Sequence, residues 1–241
     1  MRIRQTIAVD DATTVVVVDV PDWRADTFAA DLDAVLATLP DAERALCLSW
    51  APRRQGTFAA GRFALRAALV AAGVVGGVDD VGAVGRDDRG APVLPPLSRA
   101  VRVSLTHKDT VAAAVVDVGI VVGAWAIGLD LEIDDGRDRH STDKLAKQVL
   151  LDDEIAALHD DDQRRRRQLF ERFSLKEALY KGLDPFVRRY VGFLEVGVVV
   201  GDGSARFTLP MPGFVADGQL IAVDDDDVVL TLVRVRQVGA P

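Results

Sequence analysis

The segment "AIGLDLEIDD", residues 126–135, puts apolar side chains at every second position and sets four carboxylates among them. Strand side chains alternate between faces. Ile127, Leu129, Leu131 and Ile133 therefore point one way. Gly128, Asp130 and Glu132 point the other, with Asp134 in line if the strand reaches that far. Carboxylates two residues apart on one face repel each other, and a cation between them or a wet face would relieve the strain. Asp134 and Asp135 read as the polar end of the strand.

Outward from this strand the chain mixes helix with strand in both directions. Upstream, "TTVVVVDV" (13–20), "VRVSL" (101–105) and "VAAAVVDV" (111–118) read as strands. Three helical patterns lie between the first two: "RADTFAADLDAVLATL" (24–39), stopped by Pro40; "DAERALCLSW" (41–50), with Asp41 as its cap; and "GTFAAGRFALRAALVAAGV" (56–74), with Gly73 near its end. "GRDDRGAPVLP" (85–95) is turn chemistry leading into a short extended piece. Downstream, "TDKLAKQVLLDDEIAAL" (142–158) and "QRRRRQLFERFSLKEALYKGL" (163–183) read as helices. The chain then returns to strands with "GFLEVGVVV", "SARFTL", "GQLIAVD" and "DVVLTLVRVR", and "DDDD" (224–227) makes a polar turn between the last two. The strands cluster instead of alternating with helices, so an α+β arrangement is expected over a doubly wound sheet. A division near residues 119–124 gives halves 1–121 and 122–241.

With 241 residues and 49% hydrophobic content, the chain suits one large domain or two that each bury a core. The formal net charge of -8 argues against whole-surface binding to nucleic acid, which demands a basic footprint, but leaves room for a local basic pocket. Cys47 is the single cysteine, so no internal disulfide forms. The opening residues lack the apolar core of a signal peptide, and the apolar run from Val111 to Ile127 is too interrupted for a membrane span. A soluble, cytoplasmic chain is the expectation.

A third carboxylate comes from "FERFSLKEALYK". At about 100° per residue, Phe170, Phe173 and Tyr180 form one stripe of that helix, with Glu177 inside it and Lys181 one turn beyond. Glu177 is thus expected to face the protein body, where a carboxylate needs a partner. Lys181 at i+4 is one candidate. A cation shared with Asp130 and Glu132 is the other, and such an oxygen-rich set with a phosphate suits Mg²⁺. An Asp-x-Glu pair alone is a weak signal, because surface strands often carry one.

Five segments in order resemble one family. "GLDLE" (128–132) followed by "FSLKEALYK" (173–181) is similar to the 4′-phosphopantetheinyl transferases, in their large, surfactin-synthetase-activating class with two similar halves in one chain. "AAGRFALR" (59–66), "RDDRGAP" (86–92) and "VSLTHKD" (103–109) resemble further motifs of that family. The chain departs from the pattern at Ala91, where the family has Lys. Thr106 stands for Ser, Phe173 for Trp and Ser174 for Thr.

The resemblance implies two α+β halves forming a pseudo-dimer, acting as a monomer without nucleic-acid or membrane partners. It implies transfer of the phosphopantetheine arm of coenzyme A to a serine of an apo acyl- or peptidyl-carrier protein, releasing adenosine 3′,5′-bisphosphate. Asp130, Glu132 and Glu177 would hold Mg²⁺, with Mn²⁺ as an alternative. Glu177 would serve as base and Lys181 would clamp the pyrophosphate. Arg53, Arg86, Arg89, Thr106, His107 and Lys176 would bind coenzyme A groups, and Gly90 to Pro92 would shape the pocket. On the residues alone, His107 reads as bonding backbone groups, Lys176 could merely cap toward solvent, Arg53 and Arg54 could be surface charge, and Arg62 and Arg66 read as structural ion pairs. "RRRR" (164–167) reads as a solvated helix start or as a docking patch for an acidic carrier protein. Two rivals remain: another Mg²⁺ enzyme acting on a nucleotide-type phosphate, and an impaired homologue that binds coenzyme A or a carrier protein.

Overall fold

A computed structural model describes residues 1–119, 124–134 and 142–238. Its contacts divide the chain into two compact units, Met1–Ile120 and Val121–Pro241. The boundary expected after residue 121 falls outside the described residues, as does Asp135.

The first unit is a four-stranded antiparallel sheet with one long helix against it. Its strands are β1 (Ile3–Ala8), β2 (Thr13–Asp19), β5 (Arg102–His107) and β6 (Val111–Asp117), in the spatial order β1-β2-β6-β5. Helix α3 (Pro52–Ala71) packs on β2, β5 and β6. Ala60, Ala64, Leu65 and Ala68 meet Val16, Val18, Ala112 and Ala114 there. The small Ala side chains let the helix lie close, and Val supplies the branched bulk that suits strands. Helices α1 (Phe28–Leu36) and α2 (Asp41–Leu48) seal Phe58 and Ala59 of α3 with Leu32, Val35, Leu36 and Cys47. A short hairpin, β3 (Gly85–Arg86) and β4 (Pro92–Val93), follows α3.

The second unit repeats the plan. Its strands are β7 (Trp125–Ile133), β8 (Gly197–Gly201), β9 (Ser204–Thr208), β10 (Phe214–Ile221) and β11 (Val228–Gln237), ordered β7-β11-β10-β9-β8. Between β7 and β8 run α4 (Thr142–Val149), α5 (Asp152–Ala156) and the long α6 (Asp162–Val187). Helix α6 lies against β7, β11, β10 and β8. In each unit the strand preceding the long helix pairs antiparallel with the unit's last strand, β2 with β6 and β7 with β11. The α+β reading and the two similar halves therefore hold.

Several local expectations change. Asp41 is the first helical residue of α2 and Pro40 occupies its cap position. The helix expected over 142–158 is two, α4 and α5, because Glu154 turns back to accept from the Leu151 amide (2.8 Å). Helix α3 starts four residues early, at Pro52, which suits a first helical turn because it lacks an amide hydrogen. Strand β1 went unseen in the sequence, where its apolar residues are spaced by charged and polar ones.

The four arginines of 164–167 are not a free basic patch. Arg166 is buried, pairs with Asp134 and lies over the Phe170 ring. Arg167 donates to the carbonyls of Asp226 (2.8 Å) and Val228 (3.2 Å). Asp134 is accordingly an ion-pair partner, not just a strand's polar end.

Candidate active site

Strand β7 and helix α6 build the carboxylate site, and Gly128 sets their separation. A Cβ at position 128 would stand 1.8 Å from the Ala178 carbonyl oxygen and 2.9 Å from the Gly182 amide nitrogen. The helix backbone thus rests directly on the strand at the one residue without a side chain. Ser174, Ala178 and Gly182, spaced four apart, form the small-residue stripe that allows this approach. Both carboxylates on the Gly128 face are covered, Asp130 at 5% and Glu132 at 6% exposed. The face is therefore neither wet nor simply solvated.

The close approach delivers partners to Asp130. Lys181 Nζ donates to Asp130 Oδ1 (2.8 Å) and to the Leu129 carbonyl (2.8 Å). Ser174 Oγ donates to Asp130 Oδ2 (3.0 Å) and lies 2.8 Å from Thr231 Oγ1. Thr231 faces Asp130 directly across the β7–β11 ladder. A hydroxyl has one proton, so Thr231 donates to Ser174 and Ser174 to Asp130. The position of Asp130 is thereby fixed from helix and strand at once.

Glu177 is half-buried on the flank of α6. The expected inward stripe of Phe170, Phe173 and Tyr180 is half-buried too, while Leu169, Leu175, Leu179 and Leu183 are fully enclosed. Among the described residues, no three of His, Cys, Asp and Glu converge closely enough to cage an ion by themselves. Lys181 is a cation beside Asp130. Two buried carboxylates with oxygen donors still fit Mg²⁺, which typically takes one or two carboxylates and completes its shell with waters and substrate phosphates.

Lys176, expected to bind coenzyme A, points away from this site. It is 3% exposed, and its ammonium donates to Glu154 Oε2 (2.6 Å), Val149 O (2.9 Å) and Phe193 O (3.1 Å). Three donors meet three acceptors, so none is left for a ligand. Burial lowers its pKa from the usual lysine value, opposed by Glu154.

In the first unit, arginines gather around two aromatic rings. Arg54 and Arg86 lie 4.6 and 5.5 Å from the Trp50 ring, and Arg62 and Arg86 lie 5.1 and 5.5 Å from Phe58. Burial, opposed by Glu43 and aided by Arg86 and Arg66, lowers the pKa of Arg62 to about 10. Burial and then Arg54 lower that of Arg86. Glu43, unremarked in the sequence, anchors the buried Arg66 (3.0 Å), with Arg62 at 3.9 Å, so the structural reading of these two arginines holds. Arg53 bonds Asp109 through Nε (3.0 Å), just beyond β5, whose last residues are buried Thr106 and exposed His107. Asp87 Oδ1 accepts from the amides of Arg89 (2.9 Å) and Ala91 (2.8 Å), and Gly90 has φ +89°. That left-handed backbone is where glycine is favoured.

No helix among the described residues is long and apolar enough to cross a membrane. Comparison with curated proteins gives no match. Two family models do match, consecutively and without overlap. The 4′-phosphopantetheinyl transferase N-terminal domain covers residues 42–117, and the 4′-phosphopantetheinyl transferase superfamily model covers residues 126–231.

Proposed function

The chain belongs to the 4′-phosphopantetheinyl transferase superfamily, and from that premise we propose that it transfers the phosphopantetheine arm of coenzyme A to a serine of an apo acyl- or peptidyl-carrier protein. We assign it to the large two-half, surfactin-synthetase-activating type. The observation that carries the reading is the buried Asp130, held by Lys181 and Ser174 beside Glu132 on one strand face.

The reaction is a displacement at the β-phosphorus of the pyrophosphate. The carrier serine oxygen forms the new bond to that phosphorus. The bond to the oxygen shared with the α-phosphate breaks, and adenosine 3′,5′-bisphosphate leaves. A divalent ion, Mg²⁺ or Mn²⁺, supplies neutralisation of charge on the pyrophosphate oxygens when bound. Asp130 and Glu132 would hold it. Glu177 takes the serine proton or adds a third ligand. Lys181 donates to Leu129 O and Asp130 Oδ1, and its remaining N–H would meet a pyrophosphate oxygen. The N-terminal half supplies the coenzyme A residues: Arg53, Arg86, Arg89, Thr106 and His107, with Gly90 to Pro92 shaping the pocket. The crowding of Arg54 and Arg86 around the Trp50 ring supports binding of phosphate groups.

The test is incubation with coenzyme A, Mg²⁺ and an apo carrier protein, read by intact mass. A gain of one phosphopantetheine group, lost on chelation of the metal and in Asp130→Ala and Glu177→Ala, is the expected result. No gain on several acyl- and peptidyl-carriers would sink it. Retained coenzyme A binding in that case would leave the impaired homologue as the correct reading. Glu177→Gln separates the two roles of Glu177, since loss of a ligand weakens Mg²⁺ binding and loss of a base does not.

A further inference from the structure

A cavity of about 450 Å³ opens in the second unit between α5, α6 and the β8–β9 hairpin, walled by Leu151, Ala157, Val198, Leu209 and Pro210. Its size is that of a small-molecule site. Arg172 also lines it, on the side of α6 turned away from Ser174, because two residues are about 200° apart on a helix. Arg172 is 7% exposed. Among the described residues its guanidinium makes one hydrogen bond, from Nη1 to Gln168 O one turn back (3.2 Å), and its buried Nε has no partner.

A guanidinium that is largely buried, with its Nε unpaired, is costly unless something completes it. The carboxylates nearby do not. Glu154 accepts from Lys176 (2.6 Å) and Leu151 N (2.8 Å) on Oε2 and from Val198 N (2.6 Å) on Oε1. Glu195 accepts from Arg189 (3.1 Å) and Gly192 N (2.8 Å). Arg172 also feels its burial, which lowers its pKa more than Glu171 and Glu154 raise it.

We propose that this cavity binds a small monocarboxylate, its headgroup on Arg172 and its apolar body against the Leu, Val and Pro walls. A carboxylate matches the planar fork of arginine. A doubly charged phosphate is disfavoured because Asp153, Glu154 and Glu195 also border the cavity. None of the residues assigned to phosphopantetheine transfer lines this cavity, so the inference stands whether or not that assignment does.

The experiment titrates sodium hexanoate into the full chain by calorimetry, beside Arg172→Met, with hexanol and inorganic phosphate as controls. Saturable hexanoate binding is expected, weakened about tenfold or more in Arg172→Met, as the loss of a charge-assisted pair requires. Hexanol should not distinguish the two proteins. Without ligand, Arg172→Met should melt at or above the wild-type temperature, because an incompletely bonded buried charge has been removed. Absence of hexanoate binding, equal binding by both proteins, or tighter binding of phosphate would overturn the proposal. A lowered melting temperature for the unliganded variant would show instead that Arg172 is a structural brace.

Discussion

Lys181 Nζ stands 2.8 Å from Asp130 Oδ1, an ion pair formed between a helix and the strand beneath it. The same carboxylate is the proposed ligand of a divalent ion, so ammonium and metal compete for it. Lys181→Met should therefore bind Mg²⁺ more tightly in the absence of coenzyme A, while transfer falls by about 100-fold or more for lack of a pyrophosphate donor. Titration by calorimetry and a steady-state assay read the two effects. Unchanged Mg²⁺ affinity would mean that lysine and ion do not share Asp130.

Gly128→Ala should be severe for its size. The added methyl meets the backbone of Ala178, which cannot swing aside as a side chain would. Overpacking of this kind costs about 1–3 kcal/mol, and moving α6 off β7 also pulls Ser174 and Lys181 from Asp130. Gly201→Ala is the control, because a Cβ there meets nothing within 4 Å. A similar melting temperature for both variants would contradict the close approach.

Lys176→Met should separate stability from chemistry. Removing one partner of a buried pair leaves Glu154 uncompensated at a cost of about 3–5 kcal/mol. Transfer by the molecules that remain folded should be near wild type, opposite to the outcome for Lys181→Met. A selective loss of coenzyme A affinity with an unaltered melt would return Lys176 to the ligand-binding set.

Cys47 gives a signal in alkaline solution. Burial raises its thiol pKa from 9.0 to about 11. Between those values the unfolded chain releases a proton that the folded chain retains, so this residue's contribution to stability falls as pH rises. Wild type should lose stability relative to Cys47→Ala by up to about 1.4 kcal/mol per pH unit across that window, and by nothing below pH 8. Denaturant melts at pH 8, 9, 10 and 11 measure the difference.

Much of this was legible from alternation alone. Period-two spacing put Asp130 and Glu132 on one face, as β7 has them. What covers that face was not legible, because the clue is carried by the smallest residues. Ser174, Ala178 and Gly182 read as weak positions beside Phe170, Phe173 and Tyr180, yet a helix backbone approaches a strand only where side chains are small. The bulky aromatic stripe is only half-buried, and the enclosed face of Leu169, Leu175, Leu179 and Leu183 lies a fraction of a turn away. Lys176 and Lys181 likewise look equivalent in a string of letters. Their fates diverge because Glu154, in a separate short helix, claims one, and Asp130, on a strand beneath the helix, claims the other.

The pairing of β7 with β11 joins residues about one hundred positions apart, with all the other elements of the second unit between them. Long-range pairings of this kind form late, after local structure has closed the intervening loop. Thr231, the far end of the hydrogen-bond relay to Asp130, sits on that last strand. During synthesis the site therefore stays incomplete until β11 has emerged from the ribosome and docked. A chain cut short before residue 228 would carry every residue of the "GLDLE" and "FSLKEALYK" motifs and still lack the neighbour that holds them in register.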